Sequence, residues 1–238
     1  TIYQLLTHTS GMGNFWVEYD KVNKQKFKAV SDYIPLFVNQ KLSFSPGSKL
    51  SYSNSGYMIL GLIIEKVSGM NYFDYVKQNI YYPAKMKNTD AYELDNVVNN
   101  MAIGYYMSPD SAGQWKNNLY DNIIKGTPAG GGYSTAGDLL KFANALQHYK
   151  LLNKERTDEC TKGKVKYRDG KYAYGFIEDS LNGHRIFGHS GGNLGISNEL
   201  MIYDDLGYTV IILTNGEVEN YWEISNFIKR ELVGTTPS

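Results

Sequence analysis

The sequence is almost without cysteine. Cys160 is the only one in 238 residues, which excludes an internal disulfide and a cysteine metal cluster and leaves the redox compartment unreadable. It lacks an excess of either charge, with Lys+Arg and Asp+Glu both at 24. That balance gives no basic field for nucleic acid and no polybasic segment for a membrane surface. No apolar run is long enough to span a bilayer. No signal-peptide pattern is visible, and Thr1 stands inside a helix-like pattern that does not read as a natural start. The histidines His8, His148, His184 and His189 share no metal-ligand spacing. No cofactor motif is present either: the glycine turn Pro128–Tyr133 is not followed by the Gly-Lys-Ser/Thr of a phosphate loop. Internal repeats and low-complexity segments are absent.

What remains is an ordinary globular composition, 42% hydrophobic and 20% charged. The unusual feature is tyrosine, with 21 against nine phenylalanines, an excess suited to half-exposed cleft lining. Ile2–His8 reads as the last turns of a helix, with Gly11 as its C-terminal glycine. Ser31 is expected to cap a short helix over Asp32–Asn39. Asn54 or Ser55 caps a helix made apolar nearly all round by Tyr57, Met58, Leu60, Ile63, Ile64 and Val67, which should therefore be buried. Asn71 starts another, closed by Pro83. Lys87–Lys125 reads as a loop-rich, cleft-side segment. Ser134–Thr135 caps a helix from Ala136 to about Tyr149, with Leu139, Leu140, Phe142, Ala143 and Leu146 inward. Strands follow: Val165–Tyr167 and Tyr172–Glu178 about Asp169–Gly170, then Tyr174–Glu178 and His184–Gly188 about Asn182–Gly183, the strongest hairpin signal in the chain. Glu199–Tyr203 and Tyr208–Leu213 form another hairpin, and Ile224–Leu232 a final amphipathic helix. Helices first and an antiparallel meander last argue an α+β fold. The expected organisation is a single domain over 1–238, mainly helix and loop over 1–150, sheet and C-terminal helix over 164–238.

Two stretches carry chemistry. In Phe44–Tyr57 a Pro46–Gly47 turn leads through Tyr52–Ser53–Asn54 into a core helix, so Tyr52 and Asn54 sit on a polar loop pinned to a rigid element. Alone, this reads first as a half-buried tyrosine beside a helix cap. In Gly188–Gly195 the glycines follow a strand and let a ligand approach the backbone. Backbone N–H groups there could bind an oxyanion, and His189 at the strand end would point at the same ligand. Alone, this reads first as a glycine bulge with a structural histidine.

In order along the chain stand Leu5–Gly11 (LLTHTSG), Phe44–Gly47 with Tyr52–Ser53–Asn54, Ala129–Thr135, and Gly188–Gly192. Over nearly its whole length the chain resembles the serine hydrolase family of class C β-lactamases, DD-peptidases and related esterases. Tyr52–Ser53–Asn54 resembles the family's Y-x-N motif. His189–Ser190–Gly191 resembles its third motif, K-T-G in the β-lactamases and H-x-G in many peptidases and esterases. The resemblance implies a β-lactamase/transpeptidase-like fold and an acyl-enzyme mechanism. It implies Tyr52 as general base and then acid, and Gly192 N–H as an oxyanion donor. Asn54, Ser190 and Gly191 would bind substrate, and His189 would stand near the substrate carboxylate or leaving group. The implied partner is a small molecule or peptide: a β-lactam, a D-Ala-type peptide or an ester. Histidine in the third motif favours peptidase or esterase over β-lactamase. A bacterial envelope or secreted location is implied too.

One motif departs. Ser-x-x-Lys, which holds the nucleophile and its lysine, is absent: no serine here has lysine three residues on. Thr161–Lys164 has the spacing with the wrong nucleophile. The family's N-terminal strands are also absent. The expectation is a C-terminal piece whose partner is the N-terminal segment of the same polypeptide, inactive alone. The alternative is a pseudo-enzyme that binds peptidoglycan-like peptides.

Overall fold

The computed structural model describes residues 1–108, 113–216 and 221–234. Its organising element is a six-stranded antiparallel sheet in sequence order: β3 (Val165–Tyr167), β4 (Gly170–Tyr172), β5 (Ile177–Leu181), β6 (His184–Asn193), β7 (Ile196–Tyr203) and β8 (Tyr208–Thr214). Asn182 and Gly183 both take positive φ in the tight turn between β5 and β6, as the sequence suggests. The β7–β8 hairpin turns where expected, about Asp205–Gly207, but other details of the sheet differ from expectation. The β3–β4 turn is Arg168–Asp169, since Tyr167 pairs with Gly170. Tyr172–Glu178 is not one strand: Gly175 at φ 82° bends the chain between β4 and β5. The glycine-dense stretch does not follow a strand but lies within β6, paired with β7 as far as Asn193–Ile196.

Strand alternation sorts the sheet's faces. Phe187 and Ile202 on one face pack against Ala143 and Leu146 of α5 (Ala136–Gln147). Ile186 and Tyr203 on the other pack against Val233 of α7 (Tyr221–Val233). Gly188 is required by close approach: a Cβ there would lie 1.9 Å from the Leu200 carbonyl oxygen. Thr135 caps α5 as expected, but Leu140 is 43% exposed and Ala145 is buried in its stead. The polar helix α6 (Lys154–Thr161), capped by Asn153, has no apolar stripe and went unseen in the sequence.

The N-terminal region builds a second core from aromatic rings. Phe15, Tyr19, Phe27 and Tyr33 pack edge-on and stacked around Met58 of α3 (Asn54–Ser68). Burial of α3 is one-sided, contrary to expectation: Met58 and Gly61 are buried, whereas Val67 is 78% exposed. Apolar residues all round a helix do not bury a face that no neighbouring element covers. The cap is Ser53, not Asn54 or Ser55, because Ser53 Oγ accepts from Gly56 N at 3.0 Å. Upstream, Ala29 and not Ser31 precedes a 3₁₀ helix over Val30–Leu36, closed by Asp32 Oδ2 accepting from the Lys28 and Ala29 amides. Asn71 caps α4 (Tyr72–Val76), which runs on as a π turn over Lys77–Tyr81. Within Lys87–Lys125, β1 (Tyr105–Met107) pairs with β2 (Trp115–Asn117); Pro109–Ala112 lie outside the described residues.

The first helix also departs from the sequence reading. α1 spans Ile2–Leu6, with Thr1 Oγ1 accepting from Gln4 N at 3.3 Å. The left-handed residue that ends it is His8, at φ 57°, and not a glycine.

Candidate active site

Tyr52–Ser53–Asn54 is tied down at every residue. Asn14 Oδ1 accepts from Asn54 N at 2.6 Å and from Asn54 Nδ2 at 3.1 Å. Asn14 Nδ2 donates to the Tyr52 carbonyl at 3.2 Å. Ser53 Oγ donates to the Gly13 carbonyl at 2.7 Å while it caps α3. The loop therefore has little freedom, although Tyr52 itself is 37% exposed. Asn54 keeps one amide hydrogen and its carbonyl oxygen beyond the bond to Asn14.

His189 comes from the sheet. It sits on the face of β6 that also carries Phe187, and its ring centroid lies 6.2 Å from that of Tyr52. The two halves of the sequence thus meet here. Beyond Gly188, β6 has β7 on one side and no described strand on the other. The two-residue turn that joins Leu181 to His184 sets the hydrogen-bonding phase. In that phase the even-numbered residues of β6 aim N–H and C=O at the β5 side. Ser190 and Gly192 therefore direct their backbone groups along an open edge. Gly191 and Gly192 are exposed, and a Cβ on Gly191 would meet nothing within 4 Å. The Ser190 side chain, by contrast, shares the α7 face with its cross-strand partner Glu199. What Ser190 presents toward His189 is its carbonyl.

Between the two motifs stand two residues to which the sequence reading gave no role. His8, 1% exposed, lies between the rings of Tyr52 and Tyr57 at 4.0 and 4.8 Å. Its Nδ1 accepts from Ser53 N at 3.1 Å, and its Nε2 meets Tyr172 Oη at 3.0 Å. Tyr172 Oη in turn meets His189 Nε2 at 3.1 Å. His8 was visible only as one letter of LLTHTSG. For Tyr172 and Asn14 the sequence carried no signal, since their partners are remote in the chain.

The site is electrostatically quiet. Burial lowers the His8 pKa to about 3, helped by the nearby His189. Burial also lowers that of His189, reinforced by Arg168 on the β3–β4 turn and opposed by the Ser190 carbonyl. Desolvation among its neighbouring rings raises that of the Tyr52 phenol. Both imidazoles are therefore neutral near pH 7, and among the described residues no ammonium or guanidinium is bonded to Tyr52. Among the described residues no group of three His, Cys, Asp or Glu side chains is placed to hold a metal ion.

The chain is 33% identical over 244 residues to penicillin-binding protein 4* of Bacillus subtilis, an alignment covering 94% of this chain and 53% of that protein. It is 34% identical over 209 residues to the mitochondrial serine beta-lactamase-like protein LACTB of Bos taurus, covering 75% of this chain and 37% of that one. It spans about half, or less, of these relatives' length. The crystal structure of a penicillin-binding protein from Bacillus halodurans shares its fold at a TM-score of 0.90 and 30% identity, over 97% of this chain and 72% of that one. The antiparallel sheet with helices on both faces is thus the α+β, β-lactamase/transpeptidase-like fold. The family model described as Beta-lactamase matches residues 1–232, and the chain belongs to that family.

Proposed function

We propose that the polypeptide carrying this chain is a serine acyl hydrolase that works through an acyl-enzyme, on D-amino-acid peptides or esters in preference to β-lactams. The observation that carries this reading is the phenol of Tyr52, on a loop bonded at each residue, facing His189 across 6.2 Å beside the open edge of β6. Tyr52 takes the proton of the nucleophile and returns it to the leaving group. Asn54 donates its remaining amide hydrogen to the substrate. Gly192 N–H, on the unpaired edge, stabilises the oxyanion. Gly191 leaves the groove clear, and the Ser190 backbone lines it.

A phenol whose pKa is raised cannot act as a base near pH 7 without a cation beside it. No Ser-x-x-Lys occurs in these 238 residues. We place the nucleophile and its lysine in another segment of the same polypeptide, which completes the site, so that this stretch alone is inactive. Full-length protein should turn over a D-Ala-D-Ala peptide or p-nitrophenyl butyrate faster than nitrocefin. Tyr52→Phe should lower kcat by roughly 10²–10⁴-fold. Acyl-enzyme seen by mass spectrometry on the 238-residue stretch after penicillin treatment would sink the inactivity claim. The absence of Ser-x-x-Lys also favours a second reading, a peptidoglycan-peptide binder on the same scaffold. Measurable peptide affinity that Tyr52→Phe leaves unchanged, with no turnover of any substrate, would select it.

A further inference from the structure

We propose that His8 is the positioning residue of this site: a hydrogen-bond chain of fixed polarity runs from Ser53 N–H through His8, Tyr172 and His189 to the Ser190 carbonyl and holds the Tyr52 loop and the third motif in one register. The proposal rests on the reading of Tyr52 and His189 as the working site and names what orients them.

The polarity follows from the two ends. Ser53 N–H can only donate, so His8 Nδ1 is a lone pair and Nε2 carries the proton. That proton goes to Tyr172 Oη at 3.0 Å. The Ser190 carbonyl can only accept, so His189 carries its proton on Nδ1 and a lone pair on Nε2. Tyr172 Oη–H therefore donates to His189 Nε2 at 3.1 Å. Each proton on the path then has one partner along it, and a second proton on His8 would meet the Ser53 N–H. The groups facing His8 are Tyr52, Tyr57, Tyr172 and His189; those facing His189 are Tyr52, Tyr172, His8 and Arg168. None is an anion that would favour an imidazolium.

Two further features single out His8. Its backbone is left-handed at φ 57°, in a position after a helix that glycine or asparagine fills at less cost. Its ring also packs on Tyr52, so the residue that orients His189 through Tyr172 fixes the phenol directly. Because both ends of the chain are backbone groups, it cannot carry a proton to solvent or substrate. It is an orienting device and not a proton wire. His189, with both nitrogens engaged, acts as a fixed wall of the groove.

The test is long-range ¹H–¹⁵N correlation on full-length protein with labelled histidine. The expected result is an Nε2–H tautomer for His8, an Nδ1–H tautomer for His189, and no titration of His8 between about pH 5 and pH 8. In Tyr172→Phe, His189 should become a tautomer mixture, and kcat should fall roughly 10–100-fold with KM little changed. An Nε2–H His189 in the wild type, titration of His8 in that range, or a Tyr172→Phe protein with unaltered His189 signals or unaltered kcat would overturn the proposal. Should Tyr172→Phe fail to fold, the wild-type tautomers decide alone. Absence of turnover in wild-type protein would count against the hydrolase reading and leave the tautomer result standing.

Discussion

Acid should destabilise this protein through His8 in a way that one substitution can isolate. In the unfolded chain a histidine titrates near pH 6.5, whereas in the native state His8 stays neutral down to about pH 3. Between those values the unfolded state binds one proton more than the native state at this site. Stability is therefore fully present above the unfolded pKa and is lost as pH falls. Each pH unit in the window removes about 1.4 kcal/mol. From about pH 7.5 to pH 4.5 the loss from His8 is about 2.7 kcal/mol. His8→Asn removes the titration and keeps a residue that tolerates the left-handed backbone at φ 57°. The variant starts less stable at neutral pH, and the carboxylates, which titrate in both proteins, cancel in the comparison. Urea unfolding at the two pH values should show the wild type losing about 2–3 kcal/mol more than the variant. With an m-value of about 2–3 kcal/mol/M, that is about 1 M in midpoint. Parallel losses would show that His8 charges in the native state and would refute the reasoning.

Other substitutions probe the scaffold around the groove. Asn14→Ala removes two bonds to Asn54 and one to the Tyr52 carbonyl. It should cost about 1–2 kcal/mol by thermal unfolding and, in full-length protein, roughly tenfold in kcat; wild-type rate would mean the loop is held elsewhere. Gly188→Ala drives a methyl to 1.9 Å from the Leu200 carbonyl oxygen and must part β6 from β7. We expect a loss of about 2–3 kcal/mol, read as a Tm lower by roughly 5–10 °C, and an unchanged Tm would contradict the close approach. Asp138→Ala strips the buried carboxylate that accepts from Asn88 N at 2.6 Å and Thr89 Oγ1 at 3.0 Å and pairs with Lys141. That should cost about 3 kcal/mol in urea unfolding, whereas Lys141→Met, at the half-exposed end of the pair, should cost no more than about 1 kcal/mol.

Much of this architecture could be read from neighbours in the chain. The Asn182–Gly183 turn, the Asn71 and Thr135 caps and the β7–β8 hairpin obey rules that operate over a few residues. Helix α6 was missed because it is polar throughout, and the buried character of α3 was overstated because periodicity counts apolar residues but not the elements that cover them. Gly11 is left-handed, as propensity favours, but α1 ends earlier, at a left-handed His8 held by tertiary bonds to Ser53 and Tyr172.

The order of the motifs was written in the sequence alone, and with it the family and the identity of the phenol and the imidazole that face each other. Folding decided everything that makes them a site. Tyr172 reaches His8 across 164 positions and His189 across 17, and Asn14 reaches Asn54 across 40. No local propensity encodes such pairs. They exist because the packed sheet and the aromatic core bring those atoms within bonding distance and shut water out, and that loss of water keeps the imidazoles neutral and the path directional.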